Sequence, residues 1–142
     1  MRIAVTQPTA SPDVRRNGRK VRELVRRAAG AGARLVQFPE GFLSGYAEEQ
    51  VADWGDVDWP AVRAEFARVV GPAGGLGVWV VLGSAHPLAA PHLPHNSLYV
   101  ISDRGRVVDR HDKRLCSHTE VTTATAAWTT RAARTAPAGD RR

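Results

Sequence analysis

Ala33-Arg34-Leu35-Val36-Gln37-Phe38-Pro39-Glu40 is the stretch whose reading decides the fold. Leu35, Val36 and Phe38 give it the apolar weight of a buried strand, placed at Arg34 to Phe38, and Pro39 stops it because proline cannot donate to a sheet ladder. Glu40 then sets a carboxylate just past the strand's C-terminal end. Upstream, Asp13 sits where a helix N-cap belongs. Val14, Val21, Leu24, Val25 and Ala28 recur on one face behind it, with arginines on the other. This helix is expected to run to about Ala29, with Gly30 and Gly32 ending it. Ile3 to Gln7 precedes it as a short buried strand. Strand, helix, strand in that order predicts an α/β layered fold.

Downstream the chain changes character. Residues 47 to 59 hold Glu48, Glu49, Asp53, Asp56 and Asp58 with two tryptophans and no basic residue, which reads as a loop with one helical turn. A second helix is expected to begin near Asp58 and Pro60. Val62, Phe66, Val69 and Val70 form its apolar stripe, and Gly71-Pro72 and Gly74-Gly75 are expected to break it. Gly77 to Ser84 is the strongest strand in the sequence. A Pro/His/Ala loop follows from Ala85 to His95. Ser97 to Ser102 and Arg106 to Arg110 then read as a hairpin joined through Asp103-Arg104-Gly105. No internal repeat is visible.

The bulk properties narrow the function classes. A chain of 142 residues with 43% hydrophobic content suits one globular domain. The longest strongly apolar run, Val78 to Leu82, is too short to cross a bilayer. The first residues lack the apolar core of a signal peptide, so a soluble, cytoplasmic protein is expected, with no membrane partner. A single cysteine, Cys116, forms no internal disulfide and agrees with a reducing compartment. The net charge of +6 divides unevenly. Residues 1 to 120 hold 16 basic and 13 acidic residues, hence +3, and the last 22 hold four arginines against Asp140, also +3. Half the excess thus lies in a short tail, which weakens any argument from global charge to nucleic acid.

Few residues could carry chemistry. Glu40 is at the strand edge where ligand sites of α/β sheets tend to lie. Held near apolar walls, its carboxylate would gain proton affinity and act as a general base. From spacing alone, a surface turn glutamate is the simpler account. Lys113, in Arg110-His111-Asp112-Lys113-Arg114-Leu115, can hold a developing oxyanion, or simply be a solvated strand end. Glu120 alone says nothing. His92 and His95 have a ligand-like interval, with His86 nearby, but with no Cys or carboxylate cluster they read as incidental loop histidines, so no metal site is expected. Gly30 and Gly32 fit no phosphate-loop pattern.

Taken in order, the segments resemble a family. Ala33 to Glu40 followed by Gly45-Tyr46 is similar to the first signature of the nitrilase superfamily, the carbon–nitrogen hydrolases. Ile3-Ala4-Val5-Thr6-Gln7, Val81-Leu82-Gly83-Ser84 and His95-Asn96-Ser97-Leu98-Tyr99-Val100-Ile101 resemble its strands. Asp112-Lys113-Arg114-Leu115 resembles its lysine signature, and Glu120 falls where the second glutamate usually does. The resemblance covers residues 1 to about 120 and implies an α-β-β-α sandwich that usually dimerises. It further implies hydrolysis of an amide or nitrile through a cysteine thiolate, with no metal or organic cofactor. Glu40 would be the general base, Lys113 the oxyanion stabiliser, and Glu120 would orient Lys113 and substrate.

Beyond Glu120 the resemblance stops. In residues 121 to 142, 17 of 22 residues are Thr, Ala or Arg, and the chain uses 18 Arg against 2 Lys. That bias suggests GC-rich coding DNA and predicts a tail that is disordered, weakly helical or frameshifted. On this reading residues 1–120 are a partial hydrolase domain with the C-terminal half of the sandwich missing. The family's nucleophilic cysteine would lie downstream, and the chain alone would be inactive. Cys116 lies only three residues after Lys113 and is not expected to substitute, since the family brings base, lysine and nucleophile from three separate strands. Two other classes stay open. A basic nucleic-acid-binding module rests on Arg15, Arg16, Arg19, Lys20, Arg22, Arg26 and Arg27, although no aromatics interleave with them. A non-catalytic fragment would instead pair with a full-length relative.

Overall fold

The computed structural model of the protein describes residues 1–46 and 49–115. The tail from residue 121, together with Cys116 and Glu120, lies outside them. Five strands form one sheet: β1 (Ile3–Val5), β2 (Leu35–Gln37), β3 (Trp79–His86), β4 (His95–Ile101) and β5 (Val107–Asp112), lying side by side in chain order. β1, β2 and β3 are parallel, while β3, β4 and β5 are antiparallel. Two helices, α1 (Val14–Gly30) and α2 (Trp59–Leu76), make the parallel crossovers, and a short 3-10 turn (Trp54–Asp56) is the helical turn expected in the acidic stretch.

The N-terminal half follows the sequence closely. Asp13 caps α1, its carboxylate accepting from the Arg15 and Arg16 backbone N–H groups. Asn17, buried on the first turns, donates to the Ser11 and Leu43 carbonyls and so fastens two loops to the helix. One expectation fails at the edge of the sheet. β1 is not a buried strand: Ile3 is 53% and Val5 70% exposed. Side chains alternate along a strand, so only Ala4 faces the helices and packs against the core.

α2 also departs from expectation, because Gly71-Pro72 and Gly74-Gly75 do not break it. Pro72 lies inside the helix, which continues to Leu76. Packing outweighs propensity there. Val69 and Ala73 are buried in the core, and Gly74 is a contact rather than a break. A Cβ on Gly74 would stand 2.8 Å from Gly105 N in the β4–β5 turn, so only glycine lets helix and hairpin meet. The helix ends at Gly77, whose φ of 63° is the left-handed cap. That cap explains why β3 starts at Trp79 rather than Gly77, two residues late. β3 in turn runs to His86, and β4 opens at His95, inside what the sequence presents as loop.

The core lies on one face of the sheet. Val36, Val80, Leu82 and Ile101 meet Val21 and Val25 of α1 and Val69 and Ala73 of α2. Between the helices Glu65, 2% exposed, bonds to Arg22 and Arg68, and Gly18 makes room for it. By strand alternation Ile3, Val5, Leu35, Trp79, Val81, Leu98 and Val100 look to the other face, which no helix covers among the described residues. These two layers, helices and sheet, are half of the sandwich that the resemblance implies.

Candidate active site

The loop after β2 is fastened across β3. Phe38 N–H donates to Val81 O at 2.9 Å and Leu43 N–H to Gly83 O at 3.0 Å. Ser44 Oγ accepts from Ala85 N–H at 2.8 Å and donates to Gly45 O at 3.0 Å. Between these ties the chain passes directly over Gly83: a Cβ there would lie 2.8 Å from Glu40 Cα. The close approach fixes the backbone of Glu40 against the open face of the sheet.

Two residues from the hairpin converge on Glu40. Lys113, just beyond β5, continues the ladder by donating its backbone N–H to Asn96 O at 2.8 Å. Its Nζ stands 2.9 Å from Glu40 Oε1, joining residues 73 positions apart. The side chain of Asn96, which is 7% exposed, donates through Nδ2 to the same Oε1. The expectation of apolar walls around Glu40 is not met. Its side chain is 42% exposed and its bonded neighbours are an ammonium and an amide. A carboxylate that meets a lysine in this way can take a proton, and the ammonium can face a developing oxyanion.

The other face of the same strand ends is also polar. Asp112 accepts from Ser97 Oγ at 2.6 Å and pairs with Arg110 Nε at 2.9 Å. Burial works to raise the proton affinity of Asp112, but the bonds from Ser97 and Arg110 outweigh it and hold its carboxyl below the ordinary value. His95 Nδ1, buried, lies 3.1 Å from Asp112 Oδ2 and has no well-aligned hydrogen-bond partner among the described residues. His86 Nδ1 meets the Tyr99 hydroxyl at 2.6 Å, and burial keeps His86 below its usual value. Two of the incidental histidines of the sequence reading are thus strand residues with polar neighbours, while His92 is exposed. Among the described residues no trio of His, Cys, Asp or Glu is arranged to hold a metal.

A cavity of about 440 Å³ lies elsewhere, between the start of α1 and residues 50–58. Asp13, Arg15, Ser44, Asp53 and Asp56 are among its walls; Glu40 and Lys113 are not. The basic face of α1 is partly engaged: Arg15 pairs with Asp58, Lys20 with Glu23 and Arg22 with Glu65. No helix among the described residues is long and apolar enough to cross a membrane. The structure brings Glu40 and Lys113 together, whereas Glu120 and Cys116 lie outside the described residues. Sequence reasoning missed the part played by Asn96. No local signal gives it, because its side chain meets Glu40 across 56 residues.

A family model described as carbon-nitrogen hydrolase matches residues 2–137, running past Glu120 into the Thr/Ala/Arg-rich segment. A search of curated proteins finds no match. Among solved structures, the NitN amidase from Nesterenkonia sp. AN1 is 29% identical with a TM-score of 0.75, over 87% of this chain and 48% of that one. Two variants of the amidase from that organism align similarly. One, in complex with butyramide, is 28% identical with a TM-score of 0.72, over 82% of this chain and 44% of that one. The other carries the acetamide moiety of fluoroacetamide added covalently at its active-site cysteine; it is 26% identical with a TM-score of 0.74, over 87% and 47%. The chain spans about half the length of these structures.

Proposed function

The chain belongs to the carbon–nitrogen hydrolase family, and from that premise we propose that it supplies the base and the oxyanion-binding lysine of an amide-hydrolysing site. Glu40 takes the proton of a cysteine thiol, whose sulfur attacks the amide carbon. The carbonyl oxygen gains negative charge, and the Lys113 ammonium faces it. The proton held by Glu40 passes to the leaving nitrogen, and ammonia departs from the thioester. Water then attacks that thioester with Glu40 again as base, releasing the acid and the thiol. Glu120, from its place in the motif order, orients Lys113. The nucleophile comes from residues outside this sequence, since Cys116 is its only cysteine and follows Lys113 too closely to arrive from a separate strand. Short aliphatic amides are the substrate class, by likeness to the amidase seen with butyramide.

The observation that supports this reading most is the 2.9 Å pairing of Lys113 with Glu40 across 73 residues. Ammonia release from short aliphatic amides tests it. The 142-residue chain alone is expected to match a heat-treated control. Joined to a C-terminal half bearing the family's cysteine, it is expected to turn over, and Glu40→Gln or Lys113→Met each to remove about a hundredfold or more of that rate. Turnover that survives both substitutions contradicts the assignment.

A further inference from the structure

Asn96 touches both proposed catalytic residues. Its side-chain amide donates to Glu40 Oε1, and its backbone carbonyl accepts from Lys113 N–H at 2.8 Å. It sits on β4 opposite Ala85, whose own N–H holds Ser44 in the loop that carries Glu40. One residue therefore ties the base, the lysine and the base's loop to a single point on the sheet. Asn96 is 7% exposed and lies in β4, the middle strand of the antiparallel trio, which is paired on both sides.

The choice of oxygen matters. Asn96 Nδ2 and Lys113 Nζ both bond Glu40 Oε1, and among the described residues Oε2 carries no hydrogen bond. A carboxylate held by two donors on one oxygen has its rotation about the terminal bond stopped, and its second oxygen points away from the clamp with its lone pairs free. We propose that Asn96 is a positioning residue that locks the Glu40 carboxylate by Oε1, so that Oε2 is the atom that accepts and returns the proton. This deepens the reading of Glu40 as the general base and rests on it. Asn96 itself touches no reacting atom; it acts through Glu40 and through the main chain of Lys113. A packing role alone would need only an apolar residue of similar size at this register position, and would not place an amide donor against a carboxylate.

Nuclear magnetic resonance of the ¹⁵N-labelled 142-residue chain tests this without any turnover. The chain holds one other asparagine, Asn17, so the Asn96 side-chain amide is assigned by its loss in Asn96→Ala. One Asn96 amide proton is expected downfield of the other and to exchange with water about tenfold more slowly than the exposed Gln37 amide, as a donor to a charged acceptor should. Glu40→Ala should abolish both signatures. Glu40→Gln, whose neutral carbonyl still accepts, should leave them intermediate, which covers the case in which the alanine variant does not fold. An Asn96 amide that is indifferent to both Glu40 substitutions overturns the proposal. Because the readout is independent of hydrolysis, a bonded Asn96 in a chain that gives no turnover when completed with a cysteine would sink the catalytic reading and leave the clamp standing.

Discussion

The two faces of the sheet are built from the same strands and meet different surroundings. On the helix side Val36, Val80, Leu82 and Ile101 are all at 0% exposure. On the open side most residues of the same sheet are apolar too, Gln37 excepted, with Val5 70% and Ile3 53% exposed. Sheets covered on one side alone usually alternate apolar with polar residues, and strands covered on both read as continuous apolar runs. Trp79-Val80-Val81-Leu82 is such a run, yet only half of it is covered. Two regions of the open face still carry constraint: the place where the loop crosses Gly83, and the polar cluster of Glu40, Asn96 and Lys113. The proposed chemistry lies on the open face and the packed core on the covered one.

Substitutions should separate the two. Leu82→Ala, on the covered face, is expected to cost about 2–5 kcal/mol through a cavity the helices cannot collapse into, read as a lower midpoint in urea. The ion pairs between the helices come next. Glu65→Ala leaves Arg22 facing an apolar seam and should cost about 1–3 kcal/mol, less than for a wholly buried pair because Arg22 is 18% and Arg68 61% exposed. The same residue sets an acid limit. Burial raises the proton affinity of Glu65, but the bonds from Arg22 and Arg68 prevail and lower its pKa below the ordinary glutamate value. Its contribution is therefore full above that ordinary value and is lost as pH falls through the depressed one. Stability measured against pH should decline on acidification in the parent chain, and decline less in Glu65→Gln.

The open face should be tolerant, with one exception. Gly83→Ala forces a Cβ into the backbone at Glu40 and should cost about 1–3 kcal/mol, while displacing the loop that carries Glu40. Leu98→Ser and Val81→Thr, on the same face, should each cost below about 1 kcal/mol. Losses at Leu98 or Val81 as large as at Leu82 would show that something covers the open face in solution, and the contrast between the faces would fail.

Legibility in the sequence followed the same division. α1 could be read because one residue, Asp13, caps it and one stripe faces the core; local signals and tertiary packing agree there. The hairpin was legible through Gly105, whose positive φ closes the turn. α2 was misread because its glycines answer to a distant partner, the Arg104–Gly105 turn, which no local window contains. β1 looked buried because apolar residues were assumed to have cover on both sides. In the candidate site, motif order singled out Glu40 and Lys113, which the structure brings within 2.9 Å of each other. Asn96 could not be given a role, since its side chain reaches Glu40 from 56 residues away and nothing local marks it.

Carbodiimide coupling tests the pairing on which the account rests. This reagent activates carboxylates and joins them to amines within direct contact, and the chain has only two lysines, Lys20 and Lys113. The account predicts an amide bond between Lys113 and Glu40 in the native chain, found by mass spectrometry of the digested product. That bond should be lost in urea and in Glu40→Gln, while the local Lys20–Glu23 pair supplies an internal control. A native chain in which Lys113 couples only to carboxylates near it in sequence, such as Asp109, would contradict it.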